Sequence, residues 1–358
     1  MRLALDLDVQ QAGQAALAGR AGGFVAMDVR GGEVIALGSG PSFDPNFFSK
    51  PFTQEAYDRL SSEEAGKPLF NRAIQAGYPA GSTFKLVTAT AALEGGLITP
   101  EDVIFDNGSV RIGDIDFINA GRAPHGPVAL RQALSVSSDV YFYLLGQEAE
   151  TTGDGLLIQR WARKLGIGRD TGIDLPNEEP GRVPTPEWRK DWFERGLTNR
   201  TWTVGDNVNF SIGQGDLLTN PLQMAIAYAA LANGGKVVRP HLGLRIEDST
   251  GRPLQELASP PARRVEIAPE HRQAILDGLY SAANHPGGTS TPVFETFPVE
   301  IAGKTGTAET SQGDQSWYVA LAPYPNPRYV VAVTIEGGGF GAETAAAAVR
   351  QILTTLLH

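Results

Sequence analysis

Alternating apolar and polar positions mark both ends of the chain. Residues 23–29 and 33–37 form two apolar runs separated by a short Arg-Gly-Gly turn, a pattern that predicts a β-hairpin. Towards the other end, runs at 300–308, 317–322 and 329–335 are joined by tight polar turns and predict three more antiparallel strands. The two ends of the chain together therefore supply five strands for one sheet.

Between and beside these runs the apolar positions recur with a helical period. They predict helices at 9–17, 82–94, 156–165, 222–232, 269–283 and 343–357. Residues 3–8 alternate and predict a strand, whereas 41–67 and 170–192 are rich in proline and polar residues and predict surface loops.

These elements predict an α+β fold, specifically an α/β sandwich. A five-stranded antiparallel sheet is expected to be flanked by the N-terminal and C-terminal helices and joined to a mostly helical second lobe. We expect the sheet lobe to comprise approximately residues 1–80 and 236–358, and the helical lobe approximately residues 81–235.

Composition narrows the class of protein. The 358 residues, 42% of them hydrophobic, can bury a sizeable core. The net charge of -10, without a long block of Lys or Arg, argues against a nucleic-acid partner. The absence of cysteine removes thiolate metal sites and cysteine nucleophiles, and the five histidines lack ligand spacing, so we expect no metal and no other cofactor.

The longest apolar runs fall short of the roughly 20 residues of a membrane span, and residues 1–8 do not resemble a signal peptide.

A first candidate for chemistry lies at the start of the helix predicted at 82–94. Pro79 and Gly81 interrupt what precedes it, so Ser82 falls in the first turn and shares a face with Lys85. A serine hydroxyl needs a base to become a strong nucleophile, and a desolvated lysine can supply one. The alternative is that Ser82 only caps the helix and Lys85 is solvated, which so short a pattern favours when taken alone.

The second candidate is Ser137-Ser138-Asp139, which precedes the strongly apolar stretch 140–145. The runs 128–134 and 140–145 on either side of it predict helices, and a Ser-x-Asp between two helices can point its side chains into a cleft. The alternative is that Ser137 or Ser138 merely caps the next helix, and the isolated pattern favours that interpretation.

The third candidate, Lys-Thr-Gly-Thr at 304–307, lies on the first of the three C-terminal strands. A phosphate-binding loop is the competing interpretation, because 303–305 match the end of that pattern. Pro298 stands where the pattern needs a glycine, however, and no helix follows. A strand edge with a lysine and two threonine hydroxyls instead suits an extended substrate that ends in a carboxylate.

Ser82-x-x-Lys85, Ser137-x-Asp139 and Lys304-Thr-Gly, in this order, resemble the motif set of the serine penicillin-recognising enzymes. Nearly the whole chain resembles the transpeptidase domain of class B penicillin-binding proteins. The segments that carry this resemblance are 5–10, 68–73, 78–85, 211–215 and 239–241. Asp139, with the Tyr-Phe-Tyr run that soon follows it, favours the elongation-specific members of the family over the division-specific ones.

The resemblance implies the fold shared by penicillin-binding proteins and serine β-lactamases, and a D,D-transpeptidase that cross-links peptidoglycan. Ser82 is then the expected nucleophile at the carbonyl between the two D-Ala residues of a stem pentapeptide, with Lys85 as the general base for acylation. Ser137 is expected to relay the proton to the leaving amine, and Lys304 to add positive charge. Asp139 is expected to orient Lys85 or the substrate.

The resemblance also implies how substrate is held. Thr305, Gly306 and Thr307 are the expected substrate-binding residues, with the two threonines holding the carboxylate of the stem peptide or of a β-lactam. The backbone N–H groups of Ser82 and Thr307 are expected to form the oxyanion hole.

Partners and location follow from the family as well. The expected ligands are the peptidoglycan stem pentapeptide and β-lactam antibiotics. For the full-length protein, the resemblance implies a RodA-type SEDS glycosyltransferase and an elongation-complex scaffold as partners, at the outer face of the bacterial cytoplasmic membrane. We recognise neither the family's membrane anchor nor its pedestal in this sequence, and expect a soluble catalytic domain.

Some relatives hold zinc through Asp, His and a Cys; here His125 is present but Ser138 replaces the Cys, so zinc is not expected.

Three other activities share parts of the pattern. A β-lactamase needs a carboxylate that activates water, and no characteristic motif supplies one here. A β-lactam sensor domain is typically shorter than this chain. A D,D-carboxypeptidase differs only in its acceptor, which the sequence does not decide.

Overall fold

The computed structural model of the chain describes residues 1–257, 259–311 and 313–358. The strands are β1 (Arg2–Leu3), β2 (Gly22–Asp28), β3 (Val34–Gly40), β4 (Ile104–Asp106), β5 (Ser109–Ile112), β6 (Ile115–Ile118), β7 (Gly126–Val128), β8 (Lys236–Val237), β9 (Gly243–Glu247), β10 (Pro253–Glu256), β11 (Arg263–Arg264), β12 (Ala302–Ala308), β13 (Gln315–Ala322) and β14 (Tyr329–Ile335). The helices are α1 (Leu7–Leu17), α2 (Gln54–Ser61), α3 (Lys85–Glu94), α4 (Leu130–Val136), α5 (Asp139–Thr151), α6 (Leu157–Leu165), α7 (Pro186–Glu194), α8 (Val204–Ser211), α9 (Pro221–Ala232), α10 (Pro269–Asn284), α11 (Thr291–Phe294) and α12 (Ala345–Leu356).

The central sheet joins the two ends of the chain, as the sequence predicts. Among the described residues it has five strands in the order β12-β13-β14-β2-β3, and every neighbouring pair is antiparallel. The α+β fold with a five-stranded antiparallel sheet is therefore confirmed. Strand β12 lies at one edge of the sheet, where it contacts the turn at 81–84 and helix α10.

Both faces of the sheet are buried, which explains its nearly continuous apolar strands. Successive side chains of a strand point to opposite faces, and β14 shows the consequence. Val330 and Ala332 belong to a core that includes α3 and α9, whereas Val331 and Val333 belong to a second core beneath α1 and α12. The first and last helices therefore flank the sheet as predicted, and α9 supports its other face.

Helix α9 illustrates how the buried helices begin. Asn220 caps it by accepting a hydrogen bond from the backbone N–H of Gln223 (3.0 Å), and Pro221 occupies the first helical position. Residues Pro221 to Leu231 are all buried and, apart from Gln223 and the hydroxyl of Tyr228, have apolar side chains, so this helix packs in the interior. None of the described helices has the length and the apolar character needed to cross a bilayer.

The strand predicted at 3–8 is wrong for most of its length. β1 ends at Leu3, and the carboxylate of Asp6 then accepts hydrogen bonds from the backbone N–H groups of Asp8 (3.0 Å) and Val9 (3.1 Å). This cap starts α1 within the alternating segment, so the local cap overrides the period-2 pattern.

The loops predicted at 41–67 and 170–192 are wrong in part, because they contain α2 and most of α7. Thr53 and Thr185 cap these helices through their hydroxyl groups. All residues of α2, and all of α7 except Arg189, are exposed or half-buried, so neither helix has the apolar stripe that marks a helix in a sequence. The predicted helices are all confirmed within a few residues, whereas the sequence pattern predicts neither α8 nor α11.

Gly13 is expected to be required where α1 crosses the sheet. A Cβ added there would lie 2.1 Å from Cε2 of Phe24 on β2, so Gly13→Ala must displace the ring or the helix. Overpacking costs about 1–3 kcal/mol, and the better helix propensity of alanine returns only about 1 kcal/mol. We expect a lower midpoint of urea unfolding for Gly13→Ala, with Gln11→Ala on the exposed face of α1 as the control. An unchanged or higher midpoint for Gly13→Ala would show that α1 does not pack as described.

Candidate active site

Ser82 lies in a 3₁₀ turn that runs directly into α3, rather than in the first turn of the α-helix itself. The left-handed Gly81 (φ 54°) redirects the chain just before it, and the backbone N–H of Gly81 donates to the carbonyl of Gly213 (3.0 Å). From α9, the hydroxyl of Tyr228 donates to the carbonyl of Thr83 (2.9 Å). The turn is thus fixed from two sides, and half-buried Ser82 lines a cleft.

Two glycines let backbone pack against this turn. A Cβ at Gly213 would lie 2.2 Å from the carbonyl oxygen of Gly81. A Cβ at Gly306 on β12 would lie 2.8 Å from the carbonyl oxygen of Ala80 and 2.9 Å from the methyl group of Thr83. The Gly of the Lys-Thr-Gly motif therefore permits the sheet edge to approach the serine turn closely.

Lys85, at the first position of α3, is fully buried and its amine is surrounded by acceptors. Its Nζ lies 2.7 Å from the carbonyl oxygen of Ser137, 3.1 Å from Oγ of Ser137 and 2.7 Å from Oδ1 of Asp139. Three acceptors match the three donors of an ammonium group. If Lys85 loses one proton, its nitrogen gains a lone pair that can accept a proton.

The charge state of Lys85 is set by opposing influences. Burial lowers the pKa of Lys85 below its ordinary value, while the carboxylates of Asp139 and Asp106 partly counteract this effect. Burial also lowers the pKa of Lys304 well below its ordinary value, and the positive charge of Lys85 lowers it further. Both lysines are therefore easier to deprotonate than a surface lysine.

Ser137 and Asp139 reach Lys85 because of the connection between α4 and α5. Ser137 ends α4 in the left-handed conformation (φ 60°, ψ 40°), which is uncommon for a residue other than glycine. Its carbonyl and its hydroxyl both face Nζ of Lys85. Ser138 caps α5 by accepting from the backbone N–H of Tyr141 (3.1 Å), so the capping interpretation holds for Ser138, whereas Ser137 faces Lys85.

Strand β12 forms the opposite wall of the cleft. A Cβ added at Gly81 would lie 2.5 Å from the carbonyl oxygen of Thr307, so the side of β12 that is turned away from β13 lies against the serine turn. The hydroxyl of Thr305 donates to that of Thr289 (3.0 Å), and the hydroxyl of Thr307 accepts from the backbone N–H of Gly341 (3.2 Å). Both threonines therefore present oriented hydroxyls along an open strand edge.

The cleft between these walls has a volume of about 690 Å³. It is lined by Ser82, Ser137, Asp139, Thr305, Gly306 and Thr307, together with His125 and other residues. Lys85 and Lys304 lie beneath this lining and are fully buried. All eight residues chosen from the sequence thus meet at one place, although they come from positions 82 to 307.

Sequence reasoning missed three polar residues that support this arrangement. Asn119 accepts from the backbone N–H groups of Asp139 and Val140, Asp106 is a buried carboxylate beside it, and Thr289 orients Thr305. Asp106 and Asn119 occur in a region of short polar pieces without periodicity, so one sequence carries no signal that selects them.

Comparison with known proteins places this geometry in context. Residues 22–354 match the family described as the penicillin binding protein transpeptidase domain. The peptidoglycan D,D-transpeptidase MrdA of Haemophilus influenzae is 33% identical, in an alignment that covers 100% of this chain and 56% of that protein. The chain spans a little over half the length of the curated relatives it matches.

Solved structures agree with this match. Pseudomonas aeruginosa PBP2 in complex with WCK 5153 superposes with a TM-score of 0.88 at 33% identity, covering 99% of this chain and 78% of that one. The complex between PBP2 and MreC from Helicobacter pylori superposes with a TM-score of 0.85 at 29% identity, covering 99% of this chain and 63% of that one.

The lowered pKa of Lys85 makes stability depend on pH. Between that pKa and about 10.4, the unfolded chain binds a proton at Lys85 that the folded chain does not bind, so folding becomes more favourable as pH rises. We expect the free energy of unfolding of the parent, relative to Lys85→Met, to increase by up to about 1.4 kcal/mol per pH unit in this window.

Urea unfolding of both proteins between pH 7 and 10 measures this difference. Lys50→Met, at an exposed position, serves as the control and should give a difference that stays nearly constant with pH. A constant or falling difference for Lys85→Met would mean that burial does not lower the pKa of Lys85.

Proposed function

The chain belongs to the penicillin-binding protein transpeptidase family, and from this premise we propose that it is the catalytic domain of a peptidoglycan D,D-transpeptidase that acts in cell elongation. Donor stem peptides form an acyl-enzyme on Ser82, and β-lactams inhibit the domain by acylating the same residue. The observation that carries the proposal is the contact of one buried amine, Nζ of Lys85, with both Ser137 and Asp139.

Acylation begins with the neutral form of Lys85. Ser82 Oγ attacks the carbonyl carbon between the two D-Ala residues of the donor stem, and its proton passes to the amine of Lys85. Burial supports this role because it lowers the pKa of Lys85 and so increases the fraction of Lys85 that is neutral. Asp139 orients the amine through its 2.7 Å contact. Lys304, fully buried beneath the cleft, adds positive potential to the site in its protonated form.

The tetrahedral intermediate carries its negative charge on the former carbonyl oxygen. The backbone N–H groups of Ser82 and Thr307 form the oxyanion hole, a role supported by the close approach of the Thr307 backbone to the serine turn. The terminal carboxylate of the donor binds to the hydroxyls of Thr305 and Thr307, beside Gly306. The open edge of β12 suits an extended peptide, which can add to the sheet as a further strand.

Collapse of the intermediate breaks the C–N bond and forms the acyl-enzyme. Ser137, 3.1 Å from Nζ of Lys85, relays the proton to the amine of the departing D-Ala. The amine of a neighbouring stem then attacks the ester carbonyl carbon, and Lys85 accepts the proton of that amine. The C–O bond to Ser82 breaks, and Lys85 returns the proton to Oγ of Ser82. The product is a cross-linked peptide and free Ser82.

The full-length protein works at the outer face of the bacterial cytoplasmic membrane, with a RodA-type SEDS glycosyltransferase and an elongation scaffold as partners. Support comes from the Helicobacter pylori relative, which forms a complex with MreC. Residues 1–80 and 236–358 form the sheet lobe and residues 81–235 the helical lobe in this proposal, with the cleft between them.

Benzylpenicillin tests the nucleophile directly. We expect the intact mass of the parent to increase by the mass of one penicillin molecule, and that of Ser82→Ala to stay unchanged. The adduct should persist for many minutes, because the proposed site holds no group assigned to activate water. Rapid loss of the adduct with accumulation of hydrolysed drug would indicate a β-lactamase, and an adduct on Ser82→Ala would refute the assignment of Ser82.

Asp139 is expected to set the acidic limb of the pH profile of acylation. Its carboxylate raises the pKa of Lys85, so Asp139→Asn should lower that pKa further and allow the neutral amine to form at lower pH. An opposite charge in contact typically shifts a pKa by about 1–3 units, so we expect the limb to move down by about one unit or more, with a lower maximal rate. Acylation by a fluorescent penicillin between pH 5 and 9 measures this limb.

The exposed Asp58→Asn serves as a matched control and should keep the profile of the parent. A limb that stays in place, or moves to higher pH, in Asp139→Asn would contradict the role of Lys85 as the base.

A further inference from the structure

A buried carboxylate lies directly behind the residues proposed to act on the substrate. Asp106, the last residue of β4, is fully buried. Its oxygens accept hydrogen bonds from the hydroxyl of Ser138 (2.5 Å), from Nδ2 of Asn119 (2.8 and 2.9 Å) and from the backbone N–H of Gly108 (2.8 Å). These donors are all uncharged, and their number offsets the desolvation of the carboxylate.

Asn119 connects this carboxylate to the start of α5. Its Oδ1 accepts from the backbone N–H groups of Asp139 and Val140, both at 2.9 Å. Its Nδ2 donates to Asp106 and to the carbonyl of Ala123 (2.7 Å). The orientation of the amide is fixed by these contacts, because the reverse orientation would point N–H groups at two other N–H groups.

Ser138 completes the connection. Its hydroxyl donates to Asp106 and accepts from the backbone N–H of Tyr141, so one residue joins the carboxylate to the first turn of α5. Ser138 lies between Ser137 and Asp139, the two residues that contact Lys85. Any movement of the Asp106 cluster, defined here as Asp106, Asn119 and Ser138, therefore moves the acceptors of the Lys85 amine.

The residues of the cluster do not fit a zinc ion. Zinc prefers thiolate, imidazole and carboxylate ligands. Ser138 stands where the zinc-binding relatives have a cysteine, and its hydroxyl already donates a hydrogen bond to Asp106. The oxygen of Asn119 is occupied by two backbone N–H groups. Throughout the described parts of the chain, no group of three or more His, Asp or Glu side chains is arranged to hold a metal ion.

We propose that Asp106 and Asn119 are positioning residues for the acylation of Ser82, and that their hydrogen-bonded cluster performs this role without a metal. The cluster fixes the connection between α4 and α5 so that Ser137 and Asp139 stay in contact with Lys85. This inference rests on the proposed function, because the acylation of Ser82 is what the cluster supports.

Asn119→Asp tests the cluster with almost no change of shape. The new carboxylate still accepts from the α5 backbone, but it places a second negative oxygen at the 2.8–2.9 Å contacts with Asp106. A displacement of about 1 Å in a catalytic group can cost about 100-fold in rate, so we expect a 10- to 100-fold lower first-order acylation constant at saturating fluorescent penicillin. The dissociation constant of the non-covalent complex and the fraction of protein that becomes acylated should stay near the parent values.

Asn46→Asp is the matched control, because Asn46 also donates its amide to an aspartate, Asp44 (2.9 Å), but on an exposed 3₁₀ turn. The double variant D106N/N119D exchanges the amide and the carboxylate, and should recover a large part of the lost rate because it restores one donor facing one carboxylate. A merely structural defect would lower the acylated fraction and would not be rescued by this exchange. Should Asn119→Asp fail to fold, Ser138→Ala, which removes a single hydroxyl, replaces it in the same assay.

Metal content completes the experiment. We expect the purified parent to contain far less than one zinc per chain by mass spectrometry, and to keep its acylation rate and melting temperature after treatment with EDTA. One zinc per chain with EDTA-sensitive acylation would overturn the metal-free role. Parent-like acylation constants in Asn119→Asp would overturn the positioning role, whereas a parent that is not acylated at all would instead refute the proposed function.

Discussion

The burial of one lysine amine is the constraint on which the rest of the site depends. An amine that must be neutral to act as a base cannot lie in solvent, where its pKa stays near 10.4. Full burial of Lys85 lowers the pKa, but a buried ammonium without partners would cost several kcal/mol of stability. The acceptors from Ser137 and Asp139 resolve this conflict, because they stabilise the charged form without removing the effect of burial.

This arrangement requires that three segments far apart in the chain keep fixed positions relative to one another: the serine turn, the connection between α4 and α5, and the edge of the sheet. The serine turn is fixed by Gly213 and by the hydroxyl of Tyr228, and the indole N–H of Trp317 on β13 donates to the carbonyl of Pro79 just before it (2.9 Å). The connection between α4 and α5 is fixed from behind by Asp106 and hydrogen-bonded neighbours. The sheet, buried on both faces, supplies a rigid edge. The geometry of the proposed active site is therefore a property of the packed core.

The sequence predicts those parts of the fold and the site that depend on interactions between residues close together in the chain. The strands from both ends of the chain, and helices such as α9, are predictable because their apolar periodicity and caps are local. Helix α7 has a cap and a proline at its first turn, but it lacks an apolar stripe, so the sequence predicts a loop there. The eight candidate site residues could be chosen because three motifs occur in a known order.

The supporting polar residues could not be chosen in this way. Asn119 and Asp106 lie 13 positions apart in an aperiodic region. Only the folded chain brings Asn119 to the backbone of Asp139 and Asp106 to the hydroxyl of Ser138. The conformation of Ser137 is likewise invisible in sequence, since a left-handed serine has no local signature. Positions that depend on contacts between distant segments therefore need a structure.

A crystal structure of the parent acylated by benzylpenicillin tests the central claim most directly, namely that the serine turn, the α4–α5 connection and the edge of β12 form one catalytic site. We expect the ester on Ser82, its carbonyl oxygen about 3 Å from the backbone nitrogens of both Ser82 and Thr307, and the carboxylate of the drug against Thr305 and Thr307. An ester on another residue, or a carbonyl oxygen directed away from Thr307 with the carboxylate in solvent, would contradict it.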